Sequence, residues 1–269
     1  MTSAARLPLT GLPRAGAGRR SAVLAAWATA HLQGAVHAER VVDTVHGGDE
    51  PHRVLGLDTG TDLDALLADL RRRRADGLRL VLPVPGDPRG IPEPGPLTAR
   101  ALDAGEAVVV QGGQADGYGL VPVLTDHGTG LEGFTTLVTW QAIPVRGSTP
   151  EPRGTLRQAE HDLADAVREA ASELARLDVA SFSPRAAAGL GAVRSGAPRV
   201  ALPPSHPPAA ARLLDRAERL AEVLELASVD DGAAVDGGSA RARREALRVL
   251  AAVVRRARVA AVNAPLEAA

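Results

Sequence analysis

The clearest periodicity in the chain is Leu63, Leu66, Leu67 and Leu70, which recur at i, i+3, i+4 and i+7 and line one face of a helix. Thr61 with Asp64 three residues on has capping-box spacing at its start. Arg71-Arg72-Arg73-Arg74 occupies its last turn, where cations meet the exposed carbonyl ends favourably, and Asp76-Gly77 ends it. An apolar run from Arg53 to Leu57 precedes this helix and another, Leu78 to Val84, follows it. Strand, helix and strand in that order predict a parallel, right-handed βαβ unit.

The same reading extends in both directions. Upstream, Arg20 to about Val45 is helical, with Val23, Trp27 and Ala30 at core spacing, Gly34 dividing it in two and Gly47-Gly48 closing it. Downstream, a stiff loop carries six prolines between Pro83 and Pro96. Pro96 suits the first position of a two-turn helix, Leu97 to Ala104, that stops at Gly105. Ala107 to Val110 is a strand apolar on both faces, as in a covered sheet. Gln111 to Gly119 then reads as a loose hairpin tip leading into Leu120 to Leu124, where Pro122 favours a sheet edge. Phe134, Val138, Trp140 and Ala142 share one face of a last long strand.

Pro144 to Thr155 reads as a linker, and almost only helical pattern follows it. Thr155 to Val179 is periodic and acidic, and Pro184 to Arg194 is shorter. Ser205-His206-Pro207-Pro208 opens a helix with a seam of Leu213, Ala217, Leu220, Leu224 and Ala227. Ser239 to Val262 carries Leu247, Leu250, Val253, Val254 and Ala257 on one face. The expectation is an α+β protein with a flexible leader over 1–19 and a sheet domain over 20–145. That domain would hold a small mixed, partly parallel sheet (βαβαβ, then antiparallel strands) with covering helices, and a helical bundle would follow over 155–263.

Composition narrows the function. All 31 basic residues are arginine and the net charge is −1, without the basic excess of a dedicated nucleic-acid binder. The chain has no cysteine, so disulfides, thiolate chemistry and cysteine-ligated zinc are excluded. No apolar run approaches the ~18–20 residues that span a bilayer, so no membrane partner is expected. Arg19-Arg20 ahead of Ser21 to Trp27 outlines an export signal, but Trp27, His31, Gln33 and His37 make a poor apolar core for one, and a cytoplasmic protein is expected.

Four features could carry chemistry. Asp87 and Arg89 are the polar side chains of the proline-rich loop, at a strand end where α/β sheets bind ligands. The prolines lack the N–H donors of a phosphate cradle, and Asp87-Pro88-Arg89-Gly90 also fits a type I turn. His46, Asp49 and His52 are weak candidates for metal ligands, matching no known spacing. Gln111 to Gly119 follows a strand but lacks the helix of a nucleotide-binding turn, so no cofactor is expected. The last helix sets Arg241, Arg243, Arg244, Arg248, Arg255, Arg256 and Arg258 against Glu245 alone. It reads as a nucleic-acid surface, as a surface for an acidic partner or, preferably, as the basic partner of the acidic helix in one bundle.

Three stretches carry a resemblance: Gly48-Asp49-Glu50-Pro51-His52-Arg53-Val54, Leu82-Pro83-Val84-Pro85-Gly86-Asp87-Pro88-Arg89-Gly90, and Leu202-Pro203-Pro204-Ser205-His206-Pro207-Pro208. Together they resemble a family of conserved, uncharacterised actinobacterial proteins over most of the chain after the leader. The resemblance implies no activity and no functional residue. The favoured reading is a non-catalytic cytoplasmic protein that acts through contact with a protein partner. The alternatives are an enzyme or small-molecule binder using the crevice near Asp87 and Arg89, and a nucleic-acid binder using the last helix. The sequence sets no oligomeric state.

Overall fold

The longest strand pairing in the protein joins Gly117–Thr129 to Gly133–Val145, in register from Gly117↔Val145 to Thr129↔Gly133. The computed structural model describes residues 18–92, 94–113, 117–129, 133–145, 154–176, 198–229 and 237–267. In it these two strands are β4 and β5 of a five-stranded sheet completed by β1 (Arg53–Leu55), β2 (Ala75–Val81) and β3 (Ala107–Gly112). The order across the sheet is β1-β5-β4-β3-β2. Described helices are α1 (Arg19–Leu32), α2 (Ala38–His46), α3 (Leu63–Arg72), α4 (Pro96–Ala104), α5 (Leu156–Arg176), α6 (Pro208–Val229) and α7 (Gly237–Glu267).

The fold is α+β, with a mixed sheet and a helical C-terminal region, and the chain runs βαβαβ before the antiparallel strands. The parallel βαβ unit does not form. β1 and β2 lie at opposite edges of the sheet, and the one parallel pair is β1 with β5. β1 offers three residues for pairing, whereas the β4–β5 hairpin offers a continuous ladder of local contacts. The hairpin therefore fills the centre and β1 attaches to its outer side. Pro122 sits in β4, an interior strand. The β3 ladder ends at Leu120, so Pro122 lies where β4 has β5 alone as a partner and a missing N–H is tolerated.

Boundaries near α3 also shift. Its cap is Asp62, whose Oδ1 accepts from Ala65 N at 2.8 Å, in place of the Thr61–Asp64 box. The helix stops at Arg72, and Asp76 and Gly77 belong to β2 instead of ending the helix. The four leucines are all buried. α1 departs most from its one-sided pattern. Val23 is only half-buried, while Ser21, Ala22, Leu24 to Ala30 and His31 are buried, so small alanines let the helix be covered on nearly all sides.

Strand register gives the sheet two faces. One carries Val54, Trp140, Leu120, Val108 and Leu80. The other carries Val81, Val109 and Val121, which bury Ile91, Leu97 and Ala101 in one cluster. α4 approaches closely there: a Cβ on Gly119 would stand 2.5 Å from Leu97. By contact the described residues divide into two compact units, one drawn from residues 18–145, 200–211 and 261–267, the other from 154–176, 198–199, 212–229 and 237–260. The second described unit thus comprises α5, most of α6 and α7 up to Ala260. The expected leader, the 144–155 linker and the 184–194 helix lie wholly or mostly outside the described residues.

Candidate functional site

The proline-rich loop closes on itself. Val84 and Asp87 exchange backbone hydrogen bonds, Asp87 N to Val84 O at 2.8 Å and Val84 N to Asp87 O at 3.2 Å. Pro85 and Gly86 (φ 84°) fill the central positions that a type II turn assigns to proline and glycine. A second turn follows, Ile91 N to Pro88 O at 3.4 Å with Gly90 at φ 90°. These two turns replace the Asp87–Gly90 turn, because positive φ at Gly86 and Gly90 sets each turn's third position. The structure brings Asp87 and Arg89 together as a two-pronged ion pair, 2.5 and 2.7 Å, so each satisfies the other. Arg89 is exposed and Ile91 is buried beneath.

His46, Asp49 and His52 also converge. Arg20 of α1 grips Asp49 with Nε at 2.6 Å and Nη2 at 2.8 Å, and that hydrogen bonding holds the carboxyl below the ordinary aspartate range. His52 is fully buried. Its Nδ1 accepts from Trp140 Nε1 at 3.2 Å, which leaves the proton on Nε2, facing Asp49 Oδ2 at 3.5 Å. Burial, then the neighbouring His46, lowers its pKa to about 4, so the ring is neutral at pH 7. His46 stands edge-on to it at 5.1 Å. Nδ1 is occupied and Nε2 faces a carboxylate already held by arginine. Among the described residues no group of three or more His, Cys, Asp or Glu is placed to hold a metal ion. The arrangement ties α1, the loop after α2, and β5 together.

The arginine-rich turns of α3 and α7 are partly directed inward. Arg72 and Arg73 pair with Asp69, which is 1% exposed and also accepts from Tyr118 OH at 2.9 Å. Burial, then the Asp69 carboxylate, raises the pKa of that phenol. On α7, Arg243, Arg255 and Arg258 are buried, Arg243 donating to Ala227 O at 2.9 Å and Arg258 to Glu218 at 2.5 Å. Arg248 pairs with Glu245 on its own helix.

One open concavity lies within the helical unit, between α5 and α7. Ala166, Glu169, Ala170 and Glu173 line it from one side, and Ala242, Glu245, Ala246, Val249 and Leu250 from the other, around a volume of about 370 Å³. Val249 is 45% exposed, one of few large apolar side chains so placed among the described residues. The alanines fall four apart on both helices, so each wall is a ladder of small residues flanked by glutamates.

Residues 21–160 match the family described as the N-terminal domain of Rv1486c-like proteins, and residues 157–259 match its C-terminal domain. The chain belongs to the Rv1486c-like family. It is 30% identical to the uncharacterized protein Rv1486c of Mycobacterium tuberculosis over 93% of this chain and 98% of that one. It is likewise 30% identical to the uncharacterized protein MAV321 of Mycobacterium avium, over 73% of this chain and 76% of that one. A third relative, the uncharacterized protein ML1804 of Mycobacterium leprae, is 32% identical over 71% of this chain and 69% of that one. No solved structure matches the chain. These Rv1486c-like relatives bring no assigned activity.

The three stretches that carried the resemblance all make fastenings within the sheet unit. The first supplies Asp49 and His52, and the second the paired turns. In the third, His206 N bonds Pro203 O at 3.0 Å, and His206 Nε2 meets Ala261 O at 3.0 Å. Just before it, Ala201 O accepts from Trp27 Nε1 at 2.9 Å. The groove was missed by sequence reasoning. Alanines at helical spacing look like any core seam, and only the packing shows which of them remain uncovered.

Proposed function

We propose that this Rv1486c-like chain acts in the cytoplasm through protein–protein contact, with the α5–α7 groove as its docking surface. The observation that carries this reading is the groove itself: an apolar, partly exposed channel with Val249 in its wall. A partner helix or loop seated there would remove Val249 and the partly exposed Ala242 and Ala246 from water, at roughly 25 cal/mol per Å² of apolar surface covered. The other candidate, the Asp87–Arg89 loop, has its two polar groups engaged with each other, and a ligand there would have to displace that pair.

The test uses the full chain and its Val249→Glu variant as baits in an actinobacterial extract, followed by titration of the purified partner. A stoichiometric partner that binds the wild-type chain and loses at least tenfold in affinity to Val249→Glu supports the reading. Partners recovered equally by both baits, or none, overturn it.

A further inference from the structure

From the charges around the groove we infer that its occupant is a basic amphipathic helix, a step that rests on the docking reading above. The lining contains three carboxylates, Glu169, Glu173 and Glu245, and no cation. Glu173 and Glu245 engage Arg176 and Arg248 of their own helices, and Glu169 has no ion-pair partner among the described residues. The floor is aliphatic: Ala166, Ala170, Ala242, Ala246, Val249 and Leu250. Alanine at i and i+4 on both walls leaves an open channel between two helices, a setting into which a third helix packs by its ridge of small and medium apolar side chains. Recognition then divides between two parts of the ligand. An Ala/Leu stripe covers Val249, and arginine or lysine on either flank of that stripe reaches the glutamates. A helix with acidic flanks meets like charges on both walls and is refused.

The experiment is selection of helical peptides displayed on phage against the full chain. The library keeps an Ala/Leu stripe and randomises the flanking positions among Arg, Lys, Glu, Gln and Ser, with counter-selection on Val249→Glu. Enrichment of Arg and Lys at the flanks is expected. Synthetic copies of the winners should bind at least tenfold more weakly to Glu169→Arg/Glu245→Arg, and their affinity should fall as salt rises from 0.05 to 0.5 M, an interval chosen to shorten the screening length to a few ångströms (~4 Å). Both substituted positions are exposed, and an unchanged melting temperature keeps loss of fold out of the result.

Winners with neutral or acidic flanks overturn the inference, while a groove-dependent partner of that kind leaves the docking reading standing. Self-association that Val249→Glu abolishes would assign the groove to a second copy. A photoreactive group replacing Val249 that captures residues 177–197 of the same chain would assign it to an internal segment. Either result overturns the basic-partner inference.

Discussion

Asn263 completes the edge of the sheet by pairing with Leu80. Its side-chain Oδ1 accepts from Leu80 N at 2.8 Å and its Nδ2 donates to Leu80 O at 3.0 Å, so a side-chain amide stands in for a neighbouring strand. Two residues along, Thr29 Oγ1 accepts from Leu78 N at 3.0 Å. All four residues are buried, and an unpaired peptide group there would have no water to turn to. Asn263→Ala should therefore lose roughly 2–4 kcal/mol of unfolding free energy by leaving two buried groups unpaired. Asn263→Asp should lose at least as much at pH 7, since a carboxylate would face the Leu80 carbonyl. Urea unfolding of the two variants checks both, and a loss under about 0.5 kcal/mol would show that the edge is satisfied some other way.

His52 makes stability depend on pH. Its folded pKa, about 4, lies below the unfolded value near 6.5. Between these the unfolded chain binds more protons, so stability is full above pH 6.5 and declines as pH falls toward 4. The interval corresponds to roughly 3 kcal/mol. Asp49, also lowered, adds its own loss only below the ordinary carboxylate range. His52→Gln should flatten the pH 6.5–4 slope in denaturation curves. In the wild-type protein the imidazole C–H resonance of His52 should not titrate between pH 7 and 5.5, and ordinary titration near 6.5 would contradict the buried Trp140 contact.

Glu218 and Arg258 form an ion pair of which 2% and 4% is exposed. Removing one member strands the other charge, so Arg258→Met should cost about 3–5 kcal/mol. Replacing both, Glu218→Leu with Arg258→Met, should recover most of that loss. A double-mutant cycle by chemical denaturation gives the coupling. Additive losses would mean that the two charges are held chiefly by other groups.

Gly86 and Gly90 should respond differently to alanine. Both have positive φ, which costs a side chain about 1 kcal/mol. A Cβ at Gly86 meets nothing within 4 Å, whereas one at Gly90 stands 2.6 Å from Val81 Cγ1 in the core. Gly90→Ala should be the more destabilising by roughly 1–3 kcal/mol in thermal or urea unfolding, from overpacking. Neutralising the exposed pair with Asp87→Asn or Arg89→Gln should change stability by less than ~1 kcal/mol.

Local elements were legible where a pattern and its burial coincide. The leucines of α3, the β3 to β4 hairpin, the Gly34 break and the apolar face of α7 all have periods that depend only on backbone geometry. The acidic helix and the arginine-rich helix line the two sides of the groove, but the charged side chains that line it are glutamates from both, and complementary charge does not join the helices there. His46, Asp49 and His52 were legible as neighbours in sequence, but not the burial of His52 or the grip of Arg20 on Asp49, because those depend on Trp140 and Arg20 arriving from elsewhere.

The sequence alone determined the order of the described helices and strands, though not all their bounds, and it excluded thiol and disulfide chemistry by having no cysteine. Tertiary structure decided the rest. It put β1 and β2 at opposite edges, because a hairpin of two thirteen-residue strands outcompetes a three-residue strand for the centre of a sheet. It turned Arg243, Arg255 and Arg258 inward and left Val249 outward, choices made by contacts between residues far apart in the chain. Such contacts carry no local period, so no window along the sequence could show them.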